Sequence, residues 1–338
     1  LRKALDRAAL LRFHRSKNGR GTMMQQPDQR DHGGGVDAAA ARFGGQRAEW
    51  IDLSTGINPQ PYPIPALPAE AWNALPDAAA QTALVDAARA FWKVPADAAL
   101  LAVPGASSAI ARIPALAPKG RVRIPGPTYN EHAASFAENG WQVVEEGDTH
   151  AAVHVHPNNP DGRLWDAAEV TAPLSIIDES FCDITPDATL MAQATTPGTL
   201  ILKSFGKFWG LAGLRLGFVI GDPALVARLG QMLGPWPVSG PALHIGAAAL
   251  RDGAWAEATR VRLATDATRL DTLMTEAGAQ TVGGTPLFRL YEVDDAQAWQ
   301  ERLAQHHIWT RVFPYNPRWL RLGLPPAEGW SRLERVLA

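Results

Sequence analysis

Cysteine is almost absent: Cys182 stands alone among 338 residues. The chain can therefore close no disulfide within itself and build no multi-cysteine zinc site. That suits a reducing compartment, and a cytoplasmic protein without a metal is expected. An excess of one charge is also missing, because 32 Lys and Arg face 34 Asp and Glu for a formal net charge of −2. No basic field draws nucleic acid or an anionic membrane, so any phosphate must be held by local donors. No stretch approaches the ~20 apolar residues of a membrane span. Residues 1–21 are basic, and their apolar run at 8–11 is shorter than that of a secretory leader. With Met23 and Met24 following, 1–30 is expected to be a largely disordered extension.

Hydrophobic residues at 46% and charged residues at 20% are enough, at this length, for a core divided between a larger and a smaller lobe. Residues 31–65 are rich in glycine and proline and read as an N-terminal arm. From 66 onward helical stretches and short apolar runs alternate. Residues 78–92 place Leu84, Val85, Ala88 and Phe91 on one helical face. Strand-like runs follow at 99–103, 122–124, 141–144, 152–156, 174–177, 200–203 and 216–220, short and apolar as strands covered on both faces must be. Helical stretches at 108–116 and 224–233 separate some of them, so a mainly parallel α/β sheet is expected in a large domain over 66–235. A Pro- and Gly-rich break at 234–241 precedes a smaller α+β domain, 236–338, with helices over 241–277 and 296–307 and strands at 287–293 and 319–322.

Five segments carry chemistry. Lys207 stands in Ser204-Phe-Gly-Lys207-Phe-Trp-Gly210, directly after an apolar run. A single lysine after a strand is ordinarily a surface residue. One that attacks a carbonyl must be reachable and deprotonated. Desolvation by Phe205, Phe208 and Trp209 and the charge of Arg215 are the candidates to lower its pKa. Asp178 closes the run at 174–177, a usual place for a helix cap. His156-Pro-Asn-Asn159-Pro-Asp-Gly162 has the Asn-Pro and Asp-Gly pairs of a turn. Pro104-Gly-Ala106-Ser107-Ser108 joins a strand to a helix through small residues, which let backbone N–H groups approach an anion. Pro127-Thr-Tyr129 adds an aromatic residue after the next strand.

In this order over 104–217, these segments resemble the lysine and phosphate signature of fold-type I pyridoxal-5′-phosphate (PLP) enzymes, the aminotransferase superfamily. The resemblance implies an α/β fold with a large PLP-binding domain and a small C-terminal domain, and PLP as cofactor. It implies that Lys207 bonds the cofactor aldehyde, and that Ala106, Ser107, Ser204 and Arg215 hold the cofactor phosphate. Asp178 would face the pyridine nitrogen, Asn159 would donate to O3′, and Tyr129 would stack on the ring. Many relatives carry a tyrosine three residues after that aspartate. Phe181 stands there in this chain, so the hydroxyl that would reach O3′ is missing.

Two further segments bear on the reaction. Asp31-His32-Gly-Gly34 and Trp50-Ile-Asp52-Leu-Ser54-Thr-Gly56-Ile-Asn58-Pro59 resemble the opening of the L-threonine-O-3-phosphate decarboxylases of cobalamin biosynthesis, relatives of the histidinol-phosphate aminotransferases. This implies a lyase that releases CO₂ from threonine phosphate and yields (R)-1-aminopropan-2-yl phosphate. Arg321, in Trp319-Leu-Arg321-Leu-Gly323, matches the substrate arginine; Arg311 would be a second, and His32 would cap the substrate phosphate. Leu75 stands where histidinol-phosphate aminotransferases usually carry a tyrosine that reaches the neighbouring subunit's cofactor phosphate. The alternative is a PLP-dependent aminotransferase of a phosphorylated amino compound, which would keep every cofactor residue. A homodimer is expected from the resemblance, with a small phosphorylated amino acid as the substrate.

Overall fold

The apolar runs bounded by turn residues become strands, and the amphipathic stretches between them become helices. The computed structural model describes residues 31–338; the extension expected over 1–30, with Met23 and Met24, lies outside the described residues. His32–Ala338 form one compact unit. In chain order the first elements are α1 (Val36–Phe43), β1 (Ile51–Asp52), α2 (Glu70–Asn73), α3 (Ala78–Phe91), β2 (Ala99–Val103) and α4 (Ala106–Ile110). Next come β3 (Arg121–Arg123), α5 (Asn130–Glu138), β4 (Gln142–Val144), β5 (Ala151–Val155), β6 (Leu174–Asp178), β7 (Thr199–Ser204) and β8 (Gly217–Gly221). The chain continues through α6 (Pro223–Leu233), α7 (Gly240–Arg251), α8 (Gly253–Glu276), β9 (Gln280–Thr285), β10 (Phe288–Glu292) and α9 (Ala296–Ala304). It ends with β11 (Ile308–Trp309), β12 (Arg311–Phe313), β13 (Asn316–Gly323) and α10 (Trp330–Leu337).

The seven expected strands form one sheet in the order β2-β8-β7-β6-β5-β3-β4. Only β8 runs against its neighbours; the other pairings are parallel. Every residue of β5, β6 and β8 is buried. These strands are covered on both faces, which is why they read as unbroken apolar runs rather than alternating ones. Because β5, β6 and β7 point the same way, the residues that follow them emerge at one edge of the sheet. Ser204 pairs with Gly217 across the antiparallel step, so the residues just before β8 reach that same edge.

Helix α3 starts at Asp77, whose carboxylate accepts from the Ala80 N–H at 2.7 Å, an N-cap worth about 1 kcal/mol. It buries Leu84, Ala87 and Ala88. The expected helix over 108–116 is instead the five-residue α4 followed by a 3₁₀ turn at Ile113–Leu116 with Pro114 inside it. Proline has no N–H to continue an α-helix and clashes with the preceding turn. Neither α5 nor β9 stood out in the sequence. The apolar stripe of α5 is interrupted by His132 and Ser135, and Gly283 and Gly284 weaken the strand signal of β9.

A second, antiparallel sheet has the order β12-β13-β10-β9. The arm is stitched to this part of the chain. β1 pairs with β11, Leu53 N–H donates to Trp309 O at 2.7 Å, and Gly323 N–H donates to Leu53 O at 2.7 Å. The loop after β5 also meets this sheet, since Gly284 N–H donates to Asp161 O at 2.7 Å. Gly162 in that loop has φ +77°, and a Cβ there would lie 2.0 Å from Gly284 O. Gly162→Ala therefore combines a left-handed backbone with a backbone clash. It should destabilise the protein by about 2 kcal/mol or more, read as a lowered thermal unfolding midpoint.

Candidate active site

One cavity gathers side chains from five separate segments. Its lining includes Ala106 and Ser107 after β2, Tyr129 after β3, Asn159 after β5, Asp178 at the end of β6, Ser204 at the end of β7, and Lys207 and Arg215 between β7 and β8. All eight residues expected to hold a cofactor thus meet at the edge where the parallel strands end, the usual place for ligands in open α/β sheets. Phe181 and Ser180 line the same cavity. Close backbone approach is what permits this. A Cβ on Gly105 (φ +79°) would lie 2.5 Å from the Arg215 guanidinium, and one on Gly217 would lie 2.6 Å from Ala106 N. Arg215 itself takes a left-handed conformation, φ 53° and ψ 49°, an uncommon one for a residue with a Cβ. Its guanidinium donates to Ala212 O at 2.9 Å.

Lys207 is half-buried, with Nζ 5.2 Å from the Phe181 ring centre. Burial first, then the charges of Arg321 and Arg215, bring its pKa down to about 8 against the opposing pull of Asp178. Arg321 is thus the stronger of the two cations, where the sequence pointed to Arg215. Phe205 and Trp209 stack on each other beneath the site at 5.1 Å, and with Phe208 they are fully buried in the core. The amine instead lies over the ring of Phe181.

Asp178 is 2% exposed, and burial alone would raise its pKa. The hydrogen bond and charge of His132, with two bonds from Ser180, outweigh burial and hold the carboxyl below its usual range. His132 Nε2 lies 2.8 Å from Asp178 Oδ2; Ser180 donates its hydroxyl at 2.5 Å and its N–H at 3.0 Å to Oδ1. Neither partner was picked out from the sequence. His132 lies one helical turn after Tyr129, and Asp178-Glu-Ser180 is an Asx-turn pattern. Both signals were present, but neither names its partner.

The arm contributes a third group, to which the sequence assigned no role. Asn58 N–H donates to Lys207 O at 3.0 Å, the Asn58 side chain donates to Phe208 O at 2.9 Å, and Tyr62 N–H donates to Trp209 O at 2.9 Å. Arg262 in turn donates to Asn58 Oδ1 at 2.8 Å. Arg321, on β13, donates to Asn159 Oδ1 and, at 2.7 Å, to Ser54 O. Arg311 is its cross-strand partner on β12, so both arginines emerge on one face of the small sheet. His32 is exposed, with Nε2 2.8 Å from Glu131 Oε1 and its ring 6.1 Å from that of Tyr129. His32, Arg311 and Arg321 are not among the residues lining the cavity. Arg321 is hydrogen-bonded to the lining residue Asn159.

The aminotransferase class I and II family model matches residues 146–337. Among curated proteins, a threonine-phosphate decarboxylase from Sinorhizobium sp is 43% identical over 91% of this chain and 97% of its own length. A threonine-phosphate decarboxylase from Pseudomonas aeruginosa is 37% identical over the same shares. Among solved structures, the histidinol-phosphate aminotransferase of Sinorhizobium meliloti, in complex with pyridoxal-5′-phosphate, aligns with a TM-score of 0.78 at 18% identity. That alignment covers 90% of this chain and 94% of the other.

A pKa near 8 leaves about half of the Lys207 amine neutral at pH 8, against under about 1% for an ordinary lysine. Amine-selective labelling of Lys207 as a function of pH, followed by peptide mass analysis, should show that midpoint. A cation beside an ammonium disfavours it, so Arg321→Gln should raise the midpoint by about one unit.

Proposed function

The chain belongs to the aminotransferase class I and II family, on the branch of the threonine-phosphate decarboxylases, and we propose that it is a PLP-dependent lyase in cobalamin biosynthesis. It converts L-threonine O-3-phosphate to (R)-1-aminopropan-2-yl phosphate and CO₂. The observation that carries this reading is the near full-length likeness to curated decarboxylases.

The cavity fits PLP. Gly105 and Gly217 leave no room for a Cβ and so bring Arg215 close to the loop carrying Ala106 and Ser107, with Ser204 on the same lining. Together they form a donor set for a phosphate. Asp178, held anionic by His132 and Ser180, suits a protonated ring nitrogen. Asn159 spends its Oδ1 on Arg321, which leaves the amide N–H groups as the end that would donate to O3′. Tyr129 would stack on the ring, and Lys207 would make the covalent bond. Bound PLP supplies an aldehyde for an amine and a protonated ring that accepts the electron pair released at Cα.

The chain's own residues then divide the work. Arg321, its guanidinium fixed by Asn159 and Ser54, and Arg311 beside it present a fork-shaped cationic surface that suits a phosphate dianion. His32 caps the phosphate from the arm. With the phosphate held by the arginines, the substrate carboxylate would be left without a cationic partner, as loss of CO₂ requires. One proton must replace it at Cα. Lys207, with a pKa near 8, can deliver that proton and take it up again, or a water can deliver it.

The partner expected besides substrate is a second copy of the chain. Among the described residues no helix is long and apolar enough to cross a membrane. A cytoplasmic site of action fits the reading.

With PLP and threonine phosphate, the purified protein should release one CO₂ for each aminopropanol phosphate formed. Lys207→Ala should lower turnover by about 10³-fold or more, within the range set by losing a positioned proton-transfer group. Arg321→Gln should lower kcat/KM by about 100-fold, as expected for removing one partner of a charged hydrogen-bonded pair. Absence of CO₂ release, with pyridoxamine phosphate accumulating from an amino donor and returning to PLP with 2-oxoglutarate, would sink the decarboxylase reading in favour of an aminotransferase.

A further inference from the structure

Behind the cavity lies a second set of charges that the reaction does not touch. Lys203 Nζ is 2.6 Å from Glu179 Oε2 and 3.5 Å from Asp183 Oδ1, and all three residues are buried. Adjacent residues of a strand face opposite sides of the sheet. Glu179 directly follows Asp178, and Lys203 directly precedes Ser204. The ion pair on the back of the sheet therefore joins the strand ends that present Asp178 and Ser204 at the front.

Two carboxylates share this one ammonium, and indole and other N–H or O–H donors complete the set. Glu179 accepts from Thr189 Oγ1 at 2.7 Å and from Leu190 N–H at 2.6 Å. Asp183 accepts from Trp92 Nε1 at 2.8 Å and from Trp209 Nε1 at 3.0 Å. Arg260 Nε donates to the Asp183 carbonyl at 2.9 Å. The two indoles differ in one respect. Trp92 caps helix α3, whereas Trp209 lies two residues after Lys207. The backbone of 207–209 is already held from the arm by Asn58 and Tyr62. Asp183 holds the side chain of the same loop from below.

We propose that Asp183 is a positioning residue for Lys207, acting through the Trp209 indole, and that the Lys203–Glu179 pair holds Asp183 in register with the cavity. A carboxylate anchored in a buried ion pair gives the loop a fixed point on the large sheet, so the amine stays in the cavity against Phe181 rather than swinging to solvent. The charged groups facing Lys207 are Arg321, Asp178 and Arg215. None of them changes in the variants below. The proposal rests on Lys207 being the reactive amine and not on which substrate it meets, so its test needs no turnover.

The test compares Trp209→Phe, Asp183→Asn and Trp92→Phe, each in the full chain freed of cofactor, with thermal unfolding recorded alongside. The readout is the pH midpoint for amine-selective labelling of Lys207. Trp209→Phe removes the N–H donor and keeps a ring to stack on Phe205 and Trp255, which lie 5.1 Å and 5.3 Å from Trp209. Trp92→Phe removes an equivalent donor from the same carboxylate without touching the lysine loop. Loss of the fixed point lets the amine hydrate, so Trp209→Phe and Asp183→Asn should move the midpoint up by about one unit toward the ordinary lysine value. Trp92→Phe should leave it within about 0.3 unit. Asp183→Asn retains every ring and carries the test alone if Trp209→Phe does not fold. Midpoints unchanged in both loop variants, or an equal shift in Trp92→Phe, would overturn the proposal and reduce Asp183 to a stabilising residue. Failure of CO₂ release with these midpoints as expected would instead count against the proposed reaction and leave the positioning role standing.

Discussion

The guanidinium of Arg321 joins three segments that are far apart in the chain. It sits on β13 of the small sheet, donates to Asn159 in the loop after β5, and donates to the carbonyl of Ser54 in the arm. That carbonyl is itself set by local structure: the Ser54 side chain bonds Asp52 at 2.5 Å and accepts from Gly34 N–H at 2.6 Å, and a Cβ on Gly33 would clash with Ser54 O. An arginine 5% exposed is costly to bury, and these two bonds from its terminal nitrogens offset part of that cost. The arm, the loop after β5 and the small sheet are therefore held to one geometry, and Asn159 on the cavity lining is held with them.

The same guanidinium bears on the electrostatics. Lys207 shares its surroundings with two arginines and one carboxylate. Were Asp178 free to pair with Lys207, the amine would stay charged. His132 and Ser180 occupy both carboxylate oxygens of Asp178 instead. Burial and the two guanidinium charges then bring the amine's pKa down to about 8. The cations that keep Lys207 reactive are also those proposed to receive phosphate groups, Arg215 from the cofactor and Arg321 from the substrate. Binding either phosphate would offset positive charge beside the lysine, so occupancy and the proton on Lys207 are linked.

Much of the architecture was legible because it is local. All seven strands of the large sheet announced themselves as short apolar runs, and β6 and β7 were placed to within a residue or two. Asp77 before α3 and Pro223 at the start of α6 mark helix starts by capping and by the fixed φ of proline. The 3₁₀ turn that replaced the second half of the helix expected over 108–116 had its cause in view, Pro114, but the pattern of apolar residues outweighed it. The cavity residues were legible through the order of short motifs. Their companions were not. His132, Asn58, Ser180 and Asp183 are ordinary polar residues until the partner is known, and the partners that tie His132, Asn58 and Asp183 to the site lie 20 or more positions away.

By itself the sequence determined the strand pattern, the lysine with its flanking serine and arginine, and the likeness to a family of PLP enzymes. These rest on periodicity and on side chains close together in the chain. Only the tertiary structure decided that Arg321 outranks Arg215 in lowering the Lys207 pKa, that Phe181 rather than the following aromatics faces the amine, and that Asp178 is held anionic by His132. Each of these depends on distance across the fold, and Coulombic and hydrogen-bond energies follow that distance rather than separation along the chain.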